Sequence, residues 1–216
     1  MNTDFARSQM IGQQMRTNDV SNPLIVNALQ QLSREKFVPA AFVDLAFADD
    51  EIPLPHGQCM LRPITEGKIL QALALDATDS VLEVGTGTGY FAACLAELAA
   101  AVISIDIHSD LIAAAEKNLA ASATSNVELQ CMDMLDELPA GQFDAIVVSG
   151  SMRVMDERLV AALKSGGRLF AVIGESPVKD AVLVTRDTAH NLRTAKLFET
   201  DLPALLNSAE KPAFFF

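Results

Sequence analysis

The sequence predicts a doubly wound α/β fold on a mostly parallel, seven-stranded sheet. Three observations carry that prediction. From Val81 onward, short apolar runs alternate with helical stretches, and continuous apolar strands with intervening helices require a sheet covered on both faces. The run Val81-Leu82-Glu83-Val84-Gly85-Thr86-Gly87-Thr88-Gly89-Tyr90 reads as a buried strand, a glycine turn and the start of an alanine-rich helix. The last two apolar runs lie close together around Asp187-Thr188-Ala189-His190-Asn191, which predicts an antiparallel hairpin at the end of the sheet.

Each element follows from local chemistry. Residues 1–62 read as a helical extension. Asn22 before Pro23 makes a helix start, because proline at the first helical position loses no hydrogen bond. Leu24, Ala28 and Leu32 recur at helical spacing, flanked by Ile25 and Leu29, and Phe37-Val38-Pro39 is expected to end that helix. Turn formers fill Ile52-Pro53-Leu54-Pro55-His56-Gly57-Gln58, so a loop is expected there. After Pro63 a helix runs through Ile69, Leu70 and Leu73. Expected strands are 81–84, 101–106, 127–130, 145–149 and 168–173, followed by the hairpin strands 181–186 and 193–200. Helices are expected at 91–99 and 111–119, the second capped by Ser109. Neither an internal repeat nor a low-complexity linker interrupts the chain, so 1–216 reads as one domain, with 63–216 as the sheet core.

Composition bounds the partners. A chain of 216 residues, 50% hydrophobic and 20% charged, can bury a large two-sided core without metal or disulfide staples. The formal net charge is -12, and phosphate backbones are gripped by clustered Lys and Arg. Nucleic acid is therefore not an expected partner. Cys59, Cys94 and Cys131 are odd in number and lack metal-ligand spacing. No metal is expected, and a reducing compartment fits. Cys94 and Cys131 fall on elements expected to be buried. The first residues lack an apolar signal core, and no uncharged run is long enough to span a bilayer. The expectation is a cytoplasmic protein without a membrane partner.

The glycine turn carries the chemistry. Gly85, Gly87 and Gly89 allow a tight bend and let backbone N–H groups approach a ligand at the following helix. A dinucleotide fingerprint needs a glycine where Tyr90 stands. The spacing E-x-G-x-G-x-G instead resembles motif I of class I S-adenosylmethionine methyltransferases, whose sheet is Rossmann-like. That resemblance implies S-adenosyl-L-methionine as cofactor, with Gly85, Thr86, Gly87 and Gly89 beneath its methionine part. Glu83 would accept from the ammonium, directly or through water. Asp106, ending the second strand, would take the ribose hydroxyls, with Ile107 beside it. Asp133 and Met134, after the third strand, would meet the adenine. Asp144 reads as a structural turn residue.

Over nearly its whole length the chain resembles the protein-L-isoaspartate O-methyltransferases. The resemblance is carried by Gln14-Met15-Arg16, Arg34-Glu35-Lys36-Phe37-Val38-Pro39, Leu45-Ala46-Phe47-Ala48-Asp49, His56-Gly57-Gln58, Phe143-Asp144-Ala145-Ile146-Val147-Val148 and Leu163-Lys164-Ser165-Gly166-Gly167-Arg168-Leu169. It implies methylation of the free carboxylate of isoaspartyl residues in damaged proteins. Such a carboxylate is already ionised at neutral pH, so no general base is required.

One segment departs from that family. Where it usually reads Thr-Ile-Ser-x-Pro, this chain reads Cys59-Met60-Leu61-Arg62-Pro63, with leucine in the serine position. Gln58, Cys59, Leu61 and Arg62 are the acceptor-side candidates. Cys59 is expected to pack rather than attack, and His56 to order the loop. Arg62 is either a loop arginine or a partner for a substrate carboxylate. The altered loop leaves open another methyl acceptor, or a cofactor-binding protein with little isoaspartyl activity. The tail Ala213-Phe214-Phe215-Phe216 either closes the core or contacts a partner or second copy.

Overall fold

The computed structural model describes residues 3–208. The contact expected of the Phe214–Phe216 tail lies outside them. Helix α1 (Thr3–Gln9) continues through a π-turn at Met10–Met15 and a 3-10 turn at Arg16–Asn18, and ends where Asp19 turns left-handed. Helix α2 (Pro23–Gln31) starts as expected, with the Asn22 side chain accepting from the Leu24 N–H at 2.9 Å. It buries Ile25, Ala28 and Leu29, whereas Leu24 is 66% exposed. The apolar stripe is thus rotated one residue from the expected one. The helix also stops short of Phe37. Leu32 is already extended and a separate 3-10 turn spans Arg34–Lys36. Leaving the helix there carries Arg34 into the core.

The expected loop at 52–58 contains a small hairpin, in which β1 (Ile52–Pro53) pairs antiparallel with β2 (Cys59–Met60). Helix α3 (Pro63–Leu73) follows. The sheet is then built from β3 (Ser80–Val84), β4 (Ala101–Asp106), β5 (Val127–Cys131), β6 (Phe143–Met152), β7 (Leu163–Ile173), β8 (Lys179–Arg186) and β9 (Leu192–Thr200). Between them lie α4 (Tyr90–Ala96), α5 (Ser109–Ala121) and α6 (Glu157–Ala161). The order is β5-β4-β3-β6-β7-β8-β9, parallel through β7 and antiparallel for the final hairpin.

Alternation along the strands divides the core in two. Val81, Ala145, Val147, Phe170 and Val172 join the N-terminal helices, α3 and α4 on one face. Leu82, Val84, Ile146, Val148, Leu169 and Ala171 join Leu159 of α6 and Met134 on the other. Both faces are therefore covered, as a parallel sheet requires. Two local expectations differ from the structure. Ser109 is the first residue of α5 and His108 holds the cap position without a side-chain bond. Cys131 is exposed because β5 is the sheet edge, while Cys94 on α4 is fully buried. No helix among the described residues is long and apolar enough to cross a membrane.

The N-terminal extension is fastened to the sheet by one side chain. Arg34 is 1% exposed and pairs with Glu66 of α3, itself 2% exposed. Its Nε donates to the Ala46 carbonyl at 3.0 Å and its Nη2 to the Leu61 carbonyl at 2.7 Å. The guanidinium also lies 4.7 Å from the centre of the Tyr90 ring, which meets Phe37 edge to face. Removing one member of a buried ion pair leaves an uncompensated charge and costs about 3–5 kcal/mol. Glu66→Gln and Arg34→Met are each expected to lower unfolding free energy by about that much. The double replacement Arg34→Met with Glu66→Leu should lose less than the two singles added, measured by urea denaturation.

Candidate active site

The strand order reverses at β3, where β4 lies on one side and β6 on the other. Ligands in open α/β sheets bind outside the carboxyl ends of the strands at such a point. Register brings Val84, Ile105 and Val148 level there. The chain after β3 must turn sharply between its neighbours. Gly85 has φ +98, and a side chain there would come within 3.3 Å of Ser149 Cβ. Gly89 has φ +81, and a Cβ would stand 3.0 Å from Ala115 Cβ on α5. Glycine is thus required both by backbone conformation and by space.

A cleft of about 850 Å³, its open mouth included, lies above this turn. Its walls bring together Gly85, Thr86, Gly87, Asp106, Ile107, Asp133 and Met134 with Gln58 and Cys59 of the 52–60 hairpin and Leu61 just after it. Residues far apart in sequence therefore meet in one site. Three expected members stand apart from the wall. Gly89 lies behind the turn, packed against Ala115 of α5. Glu83 is fully buried just beneath the turn. Arg62 faces a separate depression beside Lys68 and Phe198, with Glu51 at 3.6 Å. Of the two readings left open for Arg62, it is a loop arginine whose carboxylate neighbour belongs to the protein itself.

The polar groups are tightly arranged. Asp106 accepts from the Gly87 N–H through one oxygen and the His108 N–H through the other, each at 3.0 Å. The Thr86 hydroxyl bonds Ser104 Oγ at 2.7 Å, and Ser104 donates to Glu83 Oε2 at 2.6 Å. Burial pushes the Glu83 carboxyl up to about 8, against the Ser104 hydrogen bond that lowers it, and nearby Asp106 adds to the rise. Asp133 accepts from the Leu135 N–H at 2.8 Å and from Asn207 Nδ2 at 2.7 Å, so it orders its own loop while lining the cleft. Burial likewise raises the Cys59 thiol to about 12, with Glu51 contributing, which makes it a packed thiol rather than a nucleophile. Asp144 accepts from the Ser80 N–H and hydroxyl and from Lys164, a structural role as expected.

Sequence reading missed several wall residues. Ser149 and Gly150 lie where β6 leaves its register with β7, beside the switch point, a position that strand order alone would have marked. Leu205 and Leu206 arrive because the chain after β9 runs back along β6, with the Leu205 N–H donating to the Ser151 carbonyl. No local pattern announces that return. Two buried polar atoms beside the turn, Glu83 Oε1 and Ser149 Oγ, have no hydrogen-bond partner among the described residues. Native interiors rarely leave such groups unpaired. Together with the side-chain-free cradle of the turn, they fit a polar ligand that carries both donors and acceptors.

A Rossmann-like sheet with this glycine turn and an acid ending the next strand defines an α/β methyltransferase. The protein-L-isoaspartate(D-aspartate) O-methyltransferase family model matches residues 6–201. A protein-L-isoaspartate O-methyltransferase of Koribacter versatilis is 35% identical over 98% of this chain and 96% of its own length. One from Rhodopseudomonas palustris is 34% identical over 94% and 85%. Among solved structures, a Plasmodium falciparum chain described as a protein-L-isoaspartate O-methyltransferase in complex with S-adenosyl-L-homocysteine superposes with a TM-score of 0.81. It is 19% identical and matches 95% of this chain and 98% of its own, a likeness of fold. The chain belongs to the protein-L-isoaspartate O-methyltransferase family.

Glu83 yields a pH prediction. Its carboxyl rises from an ordinary 4.5 to about 8 on folding. Between those values the folded state holds a proton that the unfolded state has released, so stability falls as pH rises through the window. Thermal melts of the ligand-free protein should show Glu83→Gln matching the wild type near about pH 4 and exceeding it increasingly toward about pH 8. A gap independent of pH would contradict the assignment.

Proposed function

We propose that this chain transfers a methyl group from S-adenosylmethionine to the free carboxylate of isoaspartyl residues in proteins. The observation that supports it most is the meeting of the glycine turn, Asp106 and the 58–61 segment in one cleft of a chain from this family. S-adenosylmethionine, when bound, supplies an electrophilic methyl group on a sulfonium centre. We assign the 63–216 core to holding it and the 1–62 extension to the acceptor side.

The residues divide the work as follows. Each Asp106 oxygen spends one lone pair on a backbone N–H and keeps another for a ribose hydroxyl. The backbone from Gly85 to Gly89, with Thr86 fixing its start through Ser104, faces the methionine part. Glu83 favours the ammonium from beneath the turn, directly or through water, and a cation there draws its carboxyl toward the ionised form. Ile107 and Met134 offer apolar contact to the base, and Asp133 lies at its polar edge. The acceptor carboxylate is ionised at neutral pH, so the protein needs only to hold it in line and exclude water. Gln58 brings an amide donor to that wall. Cytoplasmic residence is supported by three free thiols.

A second reading, a methyl acceptor other than an isoaspartyl carboxylate, is favoured by one observation. Leu61 is 5% exposed on the cleft wall, beside Leu54, Met60, Leu205 and Leu206, where an apolar surface meets the acceptor. An apolar side chain against a carboxylate forgoes a hydrogen bond and adds desolvation. Labelled-methyl transfer distinguishes the readings. An isoaspartyl peptide should be methylated and its normal aspartyl counterpart should not, and transfer to neither overturns the first reading. Leu61→Ser should raise kcat/KM on the isoaspartyl peptide by about tenfold to 150-fold, the value of one hydrogen bond to a charged group. Asp106→Asn should weaken S-adenosylhomocysteine binding about tenfold or more in calorimetry, with the fold kept.

A further inference from the structure

We propose that His56, His108 and Asp110 form a site for one divalent transition-metal ion of the Zn²⁺ class, tying the 52–60 hairpin to the start of α5 across the mouth of the cleft. A ring nitrogen from each histidine and a carboxylate oxygen of Asp110 lie within 4.8 Å of one another. His56 Nε2 already meets both Asp110 oxygens, at 2.9 and 3.0 Å. The His56 ring stacks on His108, with centroids 3.8 Å apart and planes 8° from parallel. Two imidazoles and a carboxylate are the donor set that borderline divalent ions prefer, and Mg²⁺ and Ca²⁺ do not.

Within that grouping, His108 Nε2 is buried without a hydrogen-bond partner among the described residues, so it has no competing contact to give up on taking a ligand. His56 is held in the left-handed region, φ 60, at the tip of its turn. That strained conformation aims its ring across the cleft toward α5. Both arms border the same opening, since Leu54 and Gln58 on one side, and His108 and Leu111 on the other, line the cleft.

The geometric adjustment is small. A tetrahedral ion with bonds of about 2.0–2.2 Å spaces its ligands about 3.3–3.6 Å apart. The His56–Asp110 contact would open by a few tenths of an ångström, the longest separation would close by up to about 1.5 Å, and the rings would tilt out of their stack. His56 and Asp110 side chains are 40% and 58% exposed and free to make that change. A net charge of -12 raises the local concentration of cations.

Calorimetry of the full chain with Zn²⁺ tests the site. One ion per chain is expected, together with a rise in melting temperature on adding Zn²⁺. His108→Ala and Asp110→Asn should each weaken binding at least about tenfold, with each variant's Zn²⁺-induced rise in melting temperature read against its own metal-free melt. His190→Ala, the remaining histidine, and Cys131→Ser should bind as the wild type. No saturable binding, binding that survives His108→Ala, or binding lost in Cys131→Ser overturns the proposal. The tether rests on reading the cleft as the cofactor site. Zn²⁺ should slow S-adenosylhomocysteine release several-fold in stopped flow, and an unchanged rate overturns the tether.

Discussion

The buried Arg34–Glu66 pair is the contact on which the rest of the cleft depends. Two charges removed from water gain little net stability from one another unless every remaining donor is satisfied. Here Arg34 also reaches the carbonyls of Ala46 and Leu61 and covers the Tyr90 ring. One guanidinium thereby fixes five segments: the turn after α2, the segment before the small hairpin, the link between β2 and α3, α3 itself through Glu66, and the first residue of α4. Leu61 belongs to the acceptor wall and Tyr90 to the helix that follows the glycine turn. The pair sets the distance between the two walls, and its value is positional more than energetic.

Within that frame, the polar groups are arranged in layers. Asp106 on the cleft wall is held by two backbone N–H groups, which keep its oxygens aimed. Glu83 one layer down is anchored through Ser104 on one oxygen and unpaired on the other. Its elevated pKa is what a carboxylate shows before a cation arrives, and the cost of burying it is offset when one does. The wall facing the turn is mostly apolar. That contrast between a polar floor and a greasy lid suits a charged methyl donor that must be kept from water.

The sheet was legible because its signal is local and repeated. Two-sided burial forces apolar runs at strand length, and each of the seven strands contains its expected core, with β6 and β7 extended beyond it. The turn was legible because φ values near +90° and backbone packing against Ser149 and Ala115 tolerate only glycine. The N-terminal region was less so. Leu24 fits a helical stripe yet faces solvent, because the neighbours that choose the buried face lie elsewhere in the chain. Arg62, open between a loop arginine and a substrate partner, meets Glu51, a contact that spacing does not reveal. Ser149, Leu205 and Leu206 entered the site through strand order and a returning tail.

The sequence by itself determined the α/β class, the glycine turn and the acid that ends the following strand. Those features answer to forces acting within a few residues, namely backbone sterics and alternation of burial. Only the tertiary structure decided which acceptor-side residues face the cleft, that Glu83 lies beneath its floor, and that His56 meets His108 and Asp110. These depend on contacts between segments tens of residues apart, where the energy of a pairing is set by packing and desolvation that no local pattern encodes.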